Sequence, residues 1–221
     1  MDFPFDDPDA AALASAARRG NAYAIRTQVQ EGADPDARGR DGVNLLQFSI
    51  LTGSMAGFEA LLDSGADPEA EGFNGTTALH TAALADDPAY LRLMLDQGAD
   101  PDARNRRNGE TPLAVAVSPR TSAQLALLLD AGADPDATDS EGYTPLHRAA
   151  MINAGAHVLA LLEAGASPQA RDGQGNSFQD WLFRTPTEAL APREKEERQA
   201  VEAWLRANDV AIQGGQGGAG A

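Results

Sequence analysis

The sequence predicts an all-α fold, a solenoid of stacked helix-turn-helix units, and three observations lead to this prediction. The stretch GADPDA and its near-copies recur every 33 or 34 residues, a period typical of stacked repeats. Apolar residues lie on one helical stripe before each copy, and a short signature such as TPLH follows it. A unit of this length cannot bury its own apolar face, so neighbouring units must stack. Because the interfaces between units are alike, the same residues recur at the same position in each unit.

Composition agrees with this fold and excludes one kind of partner. The 221 residues are 43% hydrophobic and 5% aromatic, which suits a helical core rich in Ala and Leu. The formal net charge of −16 repels a phosphate backbone, so we expect no nucleic acid partner. A partner protein with a basic or mixed-charge surface fits this charge better.

The sequence contains no cysteine and no segment typical of targeting or membrane insertion. Disulfides, thiolate nucleophiles and cysteine-based zinc sites are therefore excluded. The acidic start MDFPFDDPDA lacks an apolar leader, and no run approaches about 18 apolar residues. We expect a cytoplasmic chain that does not bind membranes.

Each copy of the repeated stretch predicts the end of a helix. The positions seven, four and three residues before its glycine are apolar in nearly every copy, as in Leu125, Leu128 and Leu129, and this spacing places them on one helical face. The glycine suits the left-handed residue after a helix, and the Asp-Pro that follows prevents continuation. The five glycines concerned are Gly32, Gly65, Gly98, Gly132 and Gly165.

The second signature predicts the start of a shorter helix. Its first residue supplies an N-cap oxygen, and proline, which follows Thr111 and Thr144, fits the first helical turn. One unit is therefore a turn, a short helix and a longer helix. The five capping residues are Asn44, Thr77, Thr111, Thr144 and Ser177.

The segment GYTPLHRAAMINAGAHVLALLEAGAS, residues 142–167, resembles the ankyrin repeat, two antiparallel helices and a β-turn finger with a T-P-L-H-x-A signature. The second unit departs from this pattern, because NLLQ lacks the proline and histidine. The third and fourth lack the usual Gly-His between their helices, which leaves the loop geometry there open. The resemblance predicts an N-terminal extension (1–8), six units (about 9–38, 39–71, 72–105, 106–138, 139–171 and a C-terminal cap 172–208) and a flexible Gly-rich tail (209–221).

The last segment, REKEERQAVEAWLRANDV, predicts a capping helix from Arg193 to Asn208 with one apolar stripe. The side chains expected to face inward are Ala200, Val201, Trp204 and Leu205. Those expected to face water are Glu194, Lys195, Glu197 and Arg198.

The three histidines form no catalytic or metal-binding constellation. His80 and His147 occupy the last position of T-P-L-H, where the resemblance implies hydrogen bonds between adjacent turns. His157 lies near the start of a second helix without an obvious metal ligand or nucleophile nearby in sequence. We therefore expect no enzyme, no metal site and no cofactor.

Two motif-like patterns are also explained without a ligand. The tail matches G-x-G-x-x-G at Gly215, Gly217 and Gly220, but a dinucleotide site needs a preceding strand and a following helix. Asp pairs such as Asp34 and Asp36 resemble a calcium loop only superficially, because a proline separates the two carboxylates. We expect these pairs to build turns.

Ankyrin-like stacks usually bind partners through their finger tips and the concave side of their first helices, and this mapping predicts the binding site. Arginines are concentrated in the fingers ARGRDG and ARNRRNG, beside large apolar residues and Val43 at positions expected to be exposed. Exposed apolar side chains next to arginine are typical of a binding hot spot. The predicted site comprises Arg38, Arg40, Leu51, Phe73, Asn74, Leu84, Arg104, Arg106, Arg107, Tyr143, Met151 and Ile152.

Two alternatives to this site stay open. In the first, the next unit's first helix partly covers Leu51, Leu84 and Met151. In the second, the arginines only pair with neighbouring acidic turns.

The resemblance implies a non-enzymatic module that binds another protein and is a monomer when free. A narrower hypothesis is an immunity or antitoxin protein that occludes a toxin's active site, since some bacterial ankyrin-like proteins serve this role and this chain is small and acidic. The alternative is a regulatory scaffold, or a secreted effector that binds a host protein.

Overall fold

The structure, a computed structural model, describes residues 5–213, and within that range it contains twelve α-helices, two 3-10 turns and no strand. The all-α prediction is thereby confirmed. Residues up to Arg107 and those from Asn108 onward form two compact units, called unit 1 and unit 2 below. The helices are α1 (Pro8–Arg18), α2 (Ala22–Gln30), α3 (Leu45–Leu51), α4 (Met55–Asp63), α5 (Ala78–Leu84), α6 (Ala89–Asp96), α7 (Pro112–Val115), α8 (Ser122–Asp130), α9 (Pro145–Met151), α10 (Gly155–Glu163), α11 (Phe178–Leu182) and α12 (Pro192–Ala207).

The predicted helix ends are confirmed at both signatures. All five predicted capping residues are N-caps, of α3, α5, α7, α9 and α11 in turn. The five repeat glycines all have a left-handed backbone, with φ between 86° and 107°. Any residue with a Cβ atom would be strained at these angles, which explains why glycine recurs in each copy.

Aspartate side chains hold the turns together, as the sequence predicts. Asp34 Oδ1 accepts a hydrogen bond from the Asp36 amide two residues on, at 2.9 Å. Asp36 Oδ1 in turn accepts the amide of Asp67 in the following turn, at 2.8 Å. In unit 2, Asp136 accepts the Ser167 amide in the same way. The first carboxylate thus closes its own turn and the second joins it to the next.

The helices of unit 1 pack in antiparallel pairs around a core of small and aliphatic side chains. Each of the pairs α1 with α2, α3 with α4 and α5 with α6 is in contact, and α3 lies between α1 and α5. Leu13, Leu45 and Leu79 are fully buried in the first helices, and Phe58 packs edge-on against Tyr90, with 5.1 Å between ring centroids. The predicted helical stripes therefore form this core.

The short helix α7 shows how unit 2 accommodates its unusual loop. This helix has only four residues, and Thr121 Oγ1 donates to the Ala116 carbonyl at 2.6 Å across the loop that follows. His157 clamps the same loop from α10, because its Nδ1 lies 2.9 Å from the Val117 carbonyl and its Nε2 2.9 Å from Ser122 Oγ. His157 thus has a structural role that its sequence position did not indicate.

A pH dependence of stability follows from the two buried histidines of unit 2. Burial is the main cause that lowers the pKa of both His147 and His157. Because the unfolded value is about 6.5, the unfolded chain binds more protons than the folded one below that pH. We expect the free energy of unfolding to fall as the pH drops from about 6.5 towards the lowered values, by up to about 1.4 kcal/mol per pH unit for each histidine.

Urea denaturation at about pH 7.5 and about pH 5.5 measures this effect. The double variant His147→Gln/His157→Gln should lose less stability over the same interval than the wild type does. Equal losses in both proteins would contradict the assignment.

The final helix α12 corrects the predicted capping helix at two positions. Arg198, expected to face water, is buried and donates to the carbonyls of Thr185 at 2.7 Å and Leu182 at 2.5 Å. It also donates to Asn153 Oδ1 and lies over the Phe183 ring. Ala200, expected to be buried, is exposed. The buried stripe of α12 therefore runs through Arg198, Val201 and Leu205 instead of through Ala200.

The beginning of the predicted tail contacts α11. Gln179 is buried, its Nε2 donates to the Ala211 carbonyl at 3.1 Å, and its Oε1 accepts the Gln213 amide at 2.7 Å. Backbone groups of residues 211 and 213 therefore form hydrogen bonds with the buried side-chain amide of Gln179. The rest of the predicted tail with its glycine motif at Gly215, Gly217 and Gly220, and residues 1–4 of the predicted extension, lie outside the described residues.

Candidate protein-binding surface

Three successive finger tips of unit 1 bring the predicted arginines together. A backbone contact joins the second and third tips, since the Arg106 amide donates to the Gly75 carbonyl at 3.0 Å. Glu71 lies between two of the arginines, 3.8 Å from Arg38 Nη1 and 3.3 Å from Arg106 Nη1. Two guanidinium groups therefore share one carboxylate.

The neighbouring arginines are also positioned by polar partners. Arg107 Nη1 donates to Asn74 Oδ1 at 2.7 Å, and Asn74 has a left-handed backbone with φ of 55°. Arg40 Nε lies 3.3 Å from an Asp6 carboxylate oxygen. Arg104 is exposed on the same finger as Arg106.

Arg38, Arg40 and Arg106 do pair with acidic neighbours, as the second alternative expects. These ion pairs are nevertheless exposed, with 57% of the Arg40 side chain and 76% of the Arg106 side chain accessible. Exposed pairs of this kind contribute only about 0 to 1 kcal/mol each. A partner can therefore exchange them for its own carboxylates at low cost.

Several large apolar side chains of the predicted site also stay exposed. Leu51 and Leu84, at the ends of α3 and α5, are 69% and 55% exposed, and Phe73 at a finger tip is 48% exposed. In unit 2, Met151 and Ile152 at the end of α9 are also exposed. The first alternative, partial coverage by the next unit's first helix, therefore still leaves Leu51, Leu84 and Met151 exposed.

Two of the expected surface residues are buried. Tyr143 is only 9% exposed, because its ring packs against Trp181 with 6.2 Å between centroids and against His147. Val43 is likewise buried. The prediction that these two side chains are exposed is wrong, and the exposed candidates in unit 2 reduce to Met151 and Ile152.

A charged cluster in unit 2 was not predicted. Arg148 on α9 bonds through Nη2 to Glu110 Oε1 at 2.5 Å and to Asp139 Oδ2 at 2.6 Å. Asp139 Oδ1 also accepts the Tyr143 amide, which fixes this carboxylate within its turn. The cluster borders a cleft of about 200 Å³ lined by Asn108, Asp139, Ser140, Glu141, Tyr143, Arg148 and Met151.

The repeated fold agrees with comparisons to known proteins. The family pattern described as ankyrin repeats (3 copies) matches residues 13–105 and 92–172. The chain belongs to the ankyrin-repeat family. Ankyrin repeats generally mediate protein–protein interactions, and proteins of this family are typically non-enzymatic interaction modules. A search of curated proteins found no match.

Two solved structures resemble this ankyrin-repeat protein in fold. The ankyrin repeat domain of Bcl-3, described as a unique member of the IkappaB protein family, is 24% identical with a TM-score of 0.59 and covers 88% of this chain and 99% of its own. The ankyrin repeat protein EF0377 is 23% identical with a TM-score of 0.72 and covers 88% and 97%. Within residues 5–213, no helix has the length and apolar character needed to cross a membrane.

Two residues of this ankyrin surface were missed by sequence reasoning. Phe48 lies one helical turn before Leu51 on α3, and the i, i+3 spacing from an exposed leucine could have identified it. Glu71 bridges two arginines from different fingers, and no local signal marks that role.

Proposed function

We propose that this ankyrin-repeat protein binds another protein through a tip surface on unit 1. For unit 2, taken by itself, we propose Met151 and Ile152 as contact residues. The observation that carries the proposal is that Leu51, Phe73 and Leu84 stay about half or more exposed on the unit that also carries the arginine-rich finger tips, although the chain has a net charge of −16. The tip surface comprises Arg38, Arg40, Leu51, Phe73, Asn74, Leu84, Arg104, Arg106 and Arg107.

Exposed apolar side chains together with arginines would provide both affinity for a partner and a fixed orientation of that partner. Burying a leucine or phenylalanine side chain fully contributes about 1.5–3 kcal/mol, so three such side chains form a sufficient apolar centre. Planar guanidinium groups bind carboxylates in a fixed geometry, which orients the partner and distinguishes it from uncharged surfaces. The partner should therefore present an apolar centre with acidic groups around it, within an otherwise basic or mixed-charge surface.

Charge reversal tests this proposal. The variant Arg38→Glu/Arg40→Glu/Arg106→Glu/Arg107→Glu should retain its helical circular dichroism and fail to capture from the protein's own cells the partner that wild-type bait captures. The matched control is Arg18→Glu/Arg19→Glu/Arg26→Glu/Arg92→Glu, four exposed arginines of unit 1 outside the tips. Both variants change the net charge by −8, from −16 to −24, so only the position differs. Capture by the tip variant at the wild-type level would place the site on another face.

The narrower form of this proposal is an immunity or antitoxin protein that occludes a toxin's active site. Its support is the acidic net charge, because an enzyme that acts on nucleic acid presents a basic surface to its substrate. Capture should then yield one stoichiometric partner with a hydrolase-like or nuclease-like domain whose activity the chain inhibits. Several substoichiometric partners, or partners found only in a host lysate, would instead support a scaffold or an effector.

A further inference from the structure

The chain's own N-terminal segment lies on part of the tip surface. Phe5 is only 5% exposed, and its ring packs edge-on against Phe48 of α3, with 5.6 Å between centroids. The next residue, Asp6, forms the ion pair with Arg40 in the adjacent finger. An aromatic side chain followed by a carboxylate thus occupies one apolar and one basic position side by side.

These two positions belong to the face on which the proposed partner binds. Phe48 and Leu51 are three residues apart on α3 and lie on the same helical face. Leu51 remains 69% exposed beside the covered Phe48. The N-terminal segment therefore covers only the first part of a longer apolar and basic surface.

The packing of Phe5 and Asp6 is not required to start α1. The N-cap of that helix is Asp7, whose Oδ1 accepts the Ala10 amide at 2.9 Å. Phe5 and Asp6 precede the cap, and the Asp6 carboxylate is 70% exposed. Displacing this segment would cost an exposed ion pair, which holds little free energy, and the burial of the Phe5 ring, which an aromatic side chain of the partner would replace.

We propose that the partner presents an aromatic side chain followed by a carboxylate, which bind at Phe48 and Arg40 in competition with Phe5 and Asp6. This inference rests on the proposed function and adds the chemistry of the recognised segment. Further carboxylates of the partner would reach Arg38 and Arg106, which share only Glu71 between them. The segment recognised is therefore acidic, with one aromatic anchor.

A labelled peptide of residues 1–10, MDFPFDDPDA, serves as the probe, and fluorescence anisotropy measures its binding to the full chain. The variant Phe5→Ala/Asp6→Ala vacates the surface and should bind the peptide at least about tenfold more tightly than the wild type does. Adding Arg40→Glu should weaken that binding by about tenfold, and a peptide with Phe5→Ala should not bind. Absence of peptide binding to the vacated chain, with unchanged circular dichroism, would overturn the inference.

Two further measurements keep the test decisive. If the double variant does not fold, Asp6→Ala alone should still bind the peptide about threefold more tightly than the wild type. A peptide carrying Asp6→Lys should regain affinity for the vacated chain with Arg40→Glu, and failure to regain it would overturn the assigned ion pair.

A wild-type dimer that the Phe5 and Asp6 substitutions dissociate would assign the segment to a second copy and overturn the inference. The capture experiment with the tip variant is independent of these results, so the two proposals can fail separately.

Discussion

Replacing Gly57 by alanine should destabilise the protein by about 2–3 kcal/mol, because this glycine lets α4 touch the end of α1. A Cβ atom at position 57 would lie 2.8 Å from the Ala17 Cα and 2.6 Å from its carbonyl carbon. These are backbone atoms, which cannot rotate away as a flexible side chain can. The neighbouring Ser54 hydroxyl donates to the same Ala17 carbonyl at 2.5 Å, so separation of the helices would also cost that hydrogen bond.

The expected destabilisation is opposite in sign to the change in stability that helix propensity alone would cause, which makes the test informative. In an exposed helix interior, the change from glycine to alanine stabilises by about 1 kcal/mol. Thermal unfolding monitored by circular dichroism should show a melting temperature lowered by about 5–10 °C. Glu59→Ala, at an exposed position of the same helix, is the control and should change stability by less than about 0.5 kcal/mol. A Gly57→Ala variant at least as stable as the wild type would show that α1 and α4 do not pack this closely.

Replacing Arg198 by alanine should cost about 3 kcal/mol and loosen the C-terminal end of unit 2 first. The guanidinium group satisfies two carbonyls, of Thr185 and Leu182, and the side chain of Asn153. Without the guanidinium group these acceptors would lack a hydrogen-bond donor. The site is shielded from water, since Arg198 itself is only 5% exposed. An unsatisfied buried acceptor costs about 1–3 kcal/mol, and the charged donor makes each lost bond stronger than a neutral one.

Urea denaturation and amide hydrogen exchange of α12 would measure this loss. Arg193→Ala is the matched control, because Arg193 lies on the same helix with 78% of its side chain exposed and only an i, i+4 pair to Glu197. Arg198→Lys should recover less than half of the stability, since an ammonium group lacks the planar fork that reaches several acceptors. If Arg198→Ala and Arg193→Ala unfold at the same urea concentration, Arg198 does not hold α11 and α12 together.

The parts of the fold that were predictable depend on local chemistry. A left-handed glycine, a capping oxygen and an aspartate turn are each specified by a few adjacent residues, so their positions could be inferred from the repeat alone. The second repeat, at residues 39–71, shows that the hydrogen-bonding chemistry matters more than the sequence signature. Gln47 stands where histidine is expected, yet its Oε1 accepts the Phe73 amide at 2.8 Å and its Nε2 donates to Thr76 Oγ1 at 2.9 Å. A different side chain thus makes the link between adjacent turns.

The features that were not predictable depend on contacts between distant residues. Arg198 is buried because Asn153, 45 residues earlier, and the carbonyls after α11 need donors. Tyr143 occupies a position expected to be exposed, but Trp181 from the following repeat covers it. Phe5 precedes the first repeat, where no periodic pattern indicates that it packs on Phe48. Local sequence predicts each element, whereas these contacts depend on how neighbouring elements pack.

Hydroxyl-radical footprinting of the chain with its captured partner tests the central claim most directly, since it reports which side chains the partner covers. Leu51, Phe73 and Leu84 are exposed and reactive in the free chain, and Tyr23 on α2, 78% exposed, is an internal control outside the tip surface. We expect the first three to become protected in the complex while Tyr23 stays as reactive as before. Protection of Tyr23 with unchanged oxidation of Phe73 and the two leucines would contradict the proposed site.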